Sequence, residues 1–293
     1  MEQAKVYFTK EVTPEGLIRA YEALGIALKG NVAIKLHSGE AGNQNYLKPE
    51  FVKPIIDQIK GTVVECNTAY DGARNTTKKH EKLMQEHGWS KNFTVDIMDS
   101  EGPDKVLEIP NGHVIKKNYV GKNLDNYDSM LVLSHFKGHP MGGYGGALKQ
   151  LSIGIASSKG KRYIHCIGKE NGTYEDMFKV DQNKFLEAMA DAASSITTKF
   201  KDNIAYLNVM CNMSVDCDCC AKAEDPCLKD IGILASLDPV AIDQACLDLV
   251  TNSDDPGKEN FLERVNSRNG VHTIESAYAL KMGNRKYELI NID

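Results

Sequence analysis

The sequence predicts an α/β fold, a mainly parallel sheet with helical crossovers, on three observations. Apolar runs of strand length alternate with longer amphipathic runs along most of the chain, the βα pattern of a parallel sheet. Residues 129–134 have a continuous apolar centre, as a strand buried on both faces requires. Longer runs open on a capping residue followed by proline, as in Thr13-Pro14 and Asp238-Pro239, which marks helix starts.

Taken in order, residues 4–8 read as the first strand, and Thr13 caps the first helix. Residues 31–37 form a short apolar strand, and Lys48-Pro49-Glu50 opens a helix running to about Lys60. Residues 62–66 are the next strand, 76–87 a polar helix, 94–98 a strand, and 114–120 a segment suited to pairing at an edge. After the 129–134 strand comes a glycine-rich loop, then helical residues 147–155. Phe185, Met189, Ala192 and Ile196 follow helical spacing within 183–200. Strands are expected at 204–209, 231–236 and 287–292, with a helix from Asp238 between the last two. There is no internal repeat or low-complexity segment. The chain reads as one unit over 1–293, and the one candidate lobe boundary, weakly marked, falls near residues 120–128.

The bulk properties narrow the function. A net charge of −5 disfavours a general nucleic-acid binder, which is ordinarily basic. No stretch approaches the roughly 18 apolar residues that span a bilayer, and no signal-peptide core follows Met1. A cytoplasmic protein without membrane or nucleic-acid partners is therefore expected. There are eight cysteines, five of them between Cys211 and Cys227, and such clustering in a reducing compartment points to metal, iron–sulfur or redox chemistry.

The loop over 135–149 is the first candidate site. It follows a predicted strand directly, where open α/β sheets bind ligands. Gly138, Gly142, Gly143, Gly145 and Gly146 allow a close approach of backbone to ligand. The spacing is neither the dinucleotide fingerprint nor a P-loop. Between residues 129 and 169 there is no Asp or Glu, while Lys137, Lys149, Lys159, Lys161, Arg162 and Lys169 lie there with His135, His139 and His165. A cationic tract in an acidic chain points to a small anionic ligand, a carboxylate or phosphate. Lys137, Gly143, Gly145, Gly146 and Lys149 are the candidate binding residues of this loop. His135 and His139 are the candidate proton-transfer groups, with metal ligation or hydrogen bonding as alternatives.

Other strand ends add candidates, because parallel strands bring their carboxyl ends to one edge. Lys35 and His37 end the second strand; Asn67 ends the third, with Tyr70 and Arg74 just beyond. These five are candidates for gripping a polar ligand. His80, on a polar helix, reads as solvated. Cys211, Cys217, Cys219, Cys220 and Cys227 are candidate metal ligands for an iron–sulfur cluster or a single zinc or nickel ion. Their spacing matches neither ferredoxin runs nor a zinc ribbon. Cys66, Cys166 and Cys246 read as core fillers.

Four stretches, 134–139, 142–149, 216–219 and 230–245, resemble the bacterial and archaeal family of unknown function numbered 362, and the likeness covers nearly the whole chain. Its members are often labelled iron–sulfur centre proteins. Many carry an inserted ferredoxin-like module near the position of residues 169–181, where this chain has only the nearby Cys166. Any cluster that the resemblance implies would thus fall to Cys211–Cys227. Gly138-His139, Gly143 to Gly146 and Lys149 are also remotely similar to the nickel-pincer lactate racemases. That likeness implies proton-transfer or metal roles for His135 or His139, and contact of Lys149 with an anionic ligand or cofactor. The expected function is a metal- or iron–sulfur-associated enzyme, oxidoreductase or isomerase, acting on a small anion. The alternatives are a non-catalytic metal or cluster carrier with an electron-transfer partner, and a metal-free small-ligand binding protein.

Overall fold

The structure, a computed structural model, describes residues 3–293. Its strands are β1 (Ala4–Thr9), β2 (Val32–Lys35), β3 (Thr62–Glu65), β4 (Val95–Ile97), β5 (Lys105–Glu108), β6 (Lys117–Val120), β7 (Ser129–His135), β8 (Lys137–His139), β9 (Gly143–Gly145), β10 (Ile204–Met210), β11 (Gly232–Ser236) and β12 (Tyr287–Asn291). Its helices are α1 (Pro14–Glu22), α2 (Pro49–Ile59), α3 (Thr77–Glu86), α4 (Trp89–Asn92), α5 (Ala147–Lys149), α6 (Ser158–His165), α7 (Gln182–Phe200), α8 (Pro239–Thr251), α9 (Lys258–Ser267) and α10 (Val271–Ala279).

Eight strands form one sheet in the order β12-β1-β11-β10-β7-β2-β3-β4. Every pairing is parallel except those of β11, which runs against both β1 and β10. The mainly parallel sheet expected from the alternating pattern is present, with β7 near its centre and buried at all positions. Side chains along β7 alternate between two cores. Leu131 and Leu133 pack with Leu17 of α1 and Ile55 of α2, while Met130 and Val132 pack with Leu148, Ala193 and Val240 from helices on the other face. Two-sided burial is why the strand carries no polar alternation at its centre.

The predicted caps act as such. Thr13 Oγ1 accepts the Gly16 N–H at 3.0 Å, and Asp238 Oδ1 accepts the N–H groups of Val240 and Ala241 at 2.9 Å. The 114–120 segment differs from expectation: its strand, β6, pairs with β5 in a separate hairpin rather than at an edge of the main sheet. This hairpin covers a third core that includes Ile164 of α6 and Phe185 of α7. The glycine-rich loop also holds more order than expected, since β8 and β9 pair across it. Cross-strand pairing there is set by backbone and turn, which apolar periodicity does not report.

Two contacts fix the loop that leaves β7. A Cβ on Gly138 would lie 2.3 Å from the Val215 carbonyl oxygen, and the Gly138 N–H donates to the Ser214 carbonyl at 2.8 Å. Glycine at 138 therefore lets the hairpin lie flat against the cysteine segment. On the far side, the buried Asp243 carboxylate of α8 accepts the N–H groups of Ala147 and Leu148 at 2.8 and 3.0 Å. It also accepts Asn208 Nδ2 at 2.8 Å and the Tyr144 hydroxyl at 3.1 Å. These orphan donors of a helix start are satisfied by a carboxylate from another element.

Candidate functional site

The carboxyl ends of β2, β3 and β7, the β8–β9 hairpin and the segment after β10 enclose a cavity of about 330 Å³. Its wall includes Lys35, His37, Tyr70, Arg74, Lys137, His139, Gly145, Gly146, Lys149, Cys217 and Cys219 from the sequence-predicted set. The histidine loop and the cysteine segment thus share one cavity. Gln150, Lys161 and His165 join them.

The charges are unequal in how they are paired. Lys35, fully buried, meets Glu65 at 2.7 Å and also donates to the Leu36 carbonyl. Glu65 further accepts the Ser38 N–H and hydroxyl. Burial opposes the Glu65 charge, but the Lys35 and Arg74 charges outweigh it and hold the carboxyl well below its usual range. Arg74 lies between Glu40, at 3.2 Å, and Glu65, at 3.7 Å, and donates to the Tyr70 hydroxyl. Lys137 pairs with Asp218 at 3.0 Å. Burial alone would lift the Asp218 carboxyl, yet His135 and Lys137 keep it far below the ordinary value. Lys161 donates only to the Ala156 carbonyl, and Lys149 has no hydrogen-bond or ion-pair partner among the described residues. The Gln150 amide nitrogen, in a side chain 6% exposed, also finds no partner among the described residues. A buried orphan donor costs about 1–3 kcal/mol unless something else accepts from it.

Of the three histidines on this wall, His139 and His165 hold opposite tautomers. His139 Nδ1 accepts the N–H groups of Met141 at 3.1 Å and Gly142 at 2.8 Å, so the ring proton sits on Nε2. Nε2 lies 4.0 Å from Cys219 Sγ. His165 Nδ1 lies 2.7 Å from the Lys161 carbonyl, which only accepts, so its proton is on Nδ1 and its lone pair on Nε2. His165 is stacked on Phe185, with centroids 4.8 Å apart. Burial, then the nearby Lys149 charge, pushes His139 down to about 4. Burial does the same for His165, against the pull of the Lys161 carbonyl. Burial and Arg74 push His37 well below the usual histidine range.

His139, Cys217 and Cys219 offer ligand atoms within 4.8 Å of one another. Tetrahedral zinc at about 2.3 Å from sulfur spaces its ligands by roughly 3.8 Å, so the two thiols suit a single ion. The Cys219 N–H donates to Cys217 Sγ at 3.4 Å. The hydrogen bond with the Cys219 thiol, then burial, pushes Cys217 up to about 12. For Cys219 the bond with Cys217 lowers the thiol, but Cys220 and burial outweigh it and leave it at about 11. His139 fits an ion less well, because its Nε2 presents a proton rather than a lone pair. The group holds two of the five cysteines expected as metal ligands.

Other predicted residues lie elsewhere. His135 is sealed beside the cavity, with Nδ1 2.9 Å from Asp218 and Nε2 2.6 Å from the Cys211 carbonyl. Asn67 hydrogen-bonds Thr77, and its backbone N–H donates to Asp99. Gly143 takes a φ of 81° and packs against Gly270, outside the cavity wall. Cys211 belongs to the core beneath α1 and α2. Cys227 Sγ donates to the Met213 carbonyl, and Cys220 is partly exposed next to Cys219. His80 is a correction: rather than solvated it is fully buried, and burial pushes it down to about 3. Its helix is polar in composition, but this one position faces inward beside Leu83 and Met84. Lys161 and His165 were visible as part of the acid-free 129–169 tract; Gln150 and Glu65 carried no sequence signal.

Among the described residues no helix is long and apolar enough to cross a membrane. No curated protein matches the chain. Among solved structures, the lactate racemase apoprotein from Thermoanaerobacterium thermosaccharolyticum is similar at 19% identity and a TM-score of 0.43, over 71% of this chain and 50% of that one. A protein from Thermotoga maritima is similar at 14% identity and a TM-score of 0.44, over 92% of this chain and 59% of that one. The chain thus spans half the length of the first and about three-fifths of the second. A family model described as "Domain of unknown function (DUF362)" matches residues 32–248, and the chain belongs to that family.

Proposed function

We propose that the cavity binds a small carboxylate or phosphate and acts on it as an enzyme. The observation that carries this is the set of donors left without a carboxylate partner among the described residues: Lys149, Lys161 and the Gln150 amide, all on one wall. Lys35, Arg74 and Lys137 are already neutralised by Glu65, Glu40 and Asp218. The two remaining ammonium groups are the ones a ligand anion would complete. His139 donates a hydrogen bond from Nε2 to a ligand oxygen, and His165 offers the lone pair that takes a ligand proton. Buried groups with displaced ionisation, gathered in one cavity, support chemistry rather than storage. Calorimetric titration with acetate and inorganic phosphate tests the reading. Either anion should bind the wild type and bind Lys149→Met at least tenfold more weakly. Equal binding would sink it, and binding with no turnover across a range of acids would leave a ligand-binding protein.

A second reading rests on the spacing of Cys217 and Cys219. One soft ion, zinc or nickel, held by these thiols would supply Lewis-acid or redox chemistry next to the anion, and a redox-active ion would require an electron-transfer partner. Metal analysis after anaerobic purification tests it; a metal-free protein that still binds the anion would exclude it.

A further inference from the structure

We propose that the ligand is an amphipathic acid, an anionic head carried on a flat aromatic body, and that Tyr174, Met177 and Phe178 receive the body. The inference rests on the reading that the cavity takes an anion, and extends it to the rest of the molecule that carries the charge.

Three observations lead there. Tyr174 and Phe178 are 48% and 60% exposed, although both are large aromatics. They stack edge to face with centroids 5.1 Å apart, and both line the same cavity as Lys149. Apolar surface of this kind, joined to a polar cavity rather than scattered, marks a binding surface. Second, burial orders the wall. Lys161 and Gln150 are buried and Lys149 is half-buried, whereas the aromatics are open to solvent. The charge-recognising end is therefore deep and the apolar end lies at the mouth. Met141 and Met177, both on the wall, supply adaptable side chains between the two. Third, the volume is too large for a bare anion. At about 30 Å³ per water-sized group, a cavity of about 330 Å³ takes on the order of ten non-hydrogen atoms, and a phosphate has five.

An aromatic body uses this mouth better than a straight chain. Ring faces and edges meet Tyr174 and Phe178 in the offset and T-shaped arrangements that aromatic pairs prefer, and sulfur of Met177 or Met141 sits well at a ring edge. Because the cavity and the aromatics are continuous, one ligand covers both. A second copy of the chain seated on the aromatics would close the cavity instead of filling it.

The test compares matched acids on the full chain by calorimetry: phenylacetate against acetate, and phenyl phosphate against inorganic phosphate. In the wild type, the phenyl member of at least one pair should bind ten times more tightly or better. The double variant Tyr174→Ala/Phe178→Ala should bring that ratio below about threefold, while Lys149→Met should weaken both members together. Both aromatics are exposed, so the double variant should keep the wild-type melting temperature, which is measured alongside. Equal affinities within each pair in the wild type would overturn the proposal while leaving the anion reading standing. So would a ratio that survives the double variant. If no member of either pair binds, both readings fail. Sedimentation of the wild type as a dimer and of the double variant as a monomer would assign the aromatics to self-association and overturn the proposal.

Discussion

Gly142 donates its backbone N–H to Nδ1 of His139 across 2.8 Å, and this bond decides which atom of the imidazole faces the cavity. The Met141 N–H reinforces it. Two fixed donors at Nδ1 leave the proton on Nε2 in the neutral ring. Nitrogen chemical shifts of His139 should therefore report an Nε2–H tautomer at pH 7. They should stay in that state down to about pH 4, where burial and Lys149 have placed its ionisation. An Nδ1–H tautomer, or titration near pH 6.5, would contradict the assignment. His165 should show the reverse tautomer, because its Nδ1 faces only the Lys161 carbonyl.

These histidines also set an acid limit on stability. His80, His139 and His165 are held neutral by burial at about 3, 4 and 4, below the unfolded value of about 6.5. As pH falls through 6.5 the unfolded chain takes up protons that the folded chain refuses, so stability drops. The loss continues until the folded values are reached. At pH 5 each group contributes up to about 2 kcal/mol of destabilisation. Asp238 and Asp243, raised by burial, act in the opposite sense nearer pH 4. Urea unfolding should give a clearly lower stability at pH 5 than at pH 7, and a flat profile between them would show that these rings are not held neutral.

The fold was legible because its physics is periodic. Residues 129–134 announced a two-sided strand, and Thr13 and Asp238 announced helix starts. The site was legible where chemistry and position coincided. The acid-free 129–169 tract supplies Lys137, His139, Lys149, Lys161 and His165 to one wall. Neither His135 nor His139 differs from the other in sequence terms, yet one is sealed by Asp218 and the other faces the cavity. His135 ends β7 in the main sheet and His139 ends β8 in the hairpin, a difference that spacing alone does not carry. Gln150 and Glu65 were missed for a similar reason, since each is an ordinary residue made special by what lies opposite.

Two lysines of the same wall should respond differently to removal. Lys149→Met takes away a charge with no partner among the described residues, so stability should stay within about 0.5 kcal/mol of wild type while anion affinity falls. Lys35→Met leaves Glu65 buried beside Arg74 at 3.7 Å without its close ammonium partner. Breaking a buried pair from one side costs about 3–5 kcal/mol. Chemical denaturation of the two variants separates them, and similar losses in both would show that Lys149 is held by the protein rather than by a ligand.

Asp243→Ala should be more damaging than its distance from the cavity suggests. The carboxylate satisfies the N–H groups of Ala147 and Leu148, Asn208 and the Tyr144 hydroxyl at once. Removing it leaves several buried donors unpaired, at about 1–3 kcal/mol each before relaxation. The start of α5, and with it Lys149, would lose its anchor. Asp243→Asn keeps an acceptor oxygen and should recover part of both stability and anion affinity. An Asp243→Ala protein with wild-type stability would mean that water replaces the carboxylate.

The thiols and His139 can be told apart by what each does to a bound metal. If one zinc or nickel ion is held at this wall, Cys217→Ser with Cys219→Ser should release it, because those two sulfurs supply the ligand atoms. His139→Gln should keep it, since Nε2 of His139 carries a proton and donates rather than ligates. Glutamine also offers an N–H donor to a ligand oxygen, so the same variant should retain part of the anion affinity, whereas His139→Ala should lose more of it. Elemental analysis and calorimetry on the same preparations check both halves. Metal that survives the double cysteine variant places the ion elsewhere. Metal lost from His139→Gln would mean that the imidazole turns its lone pair to the ion, and that the bonds from Met141 and Gly142 give way when it does.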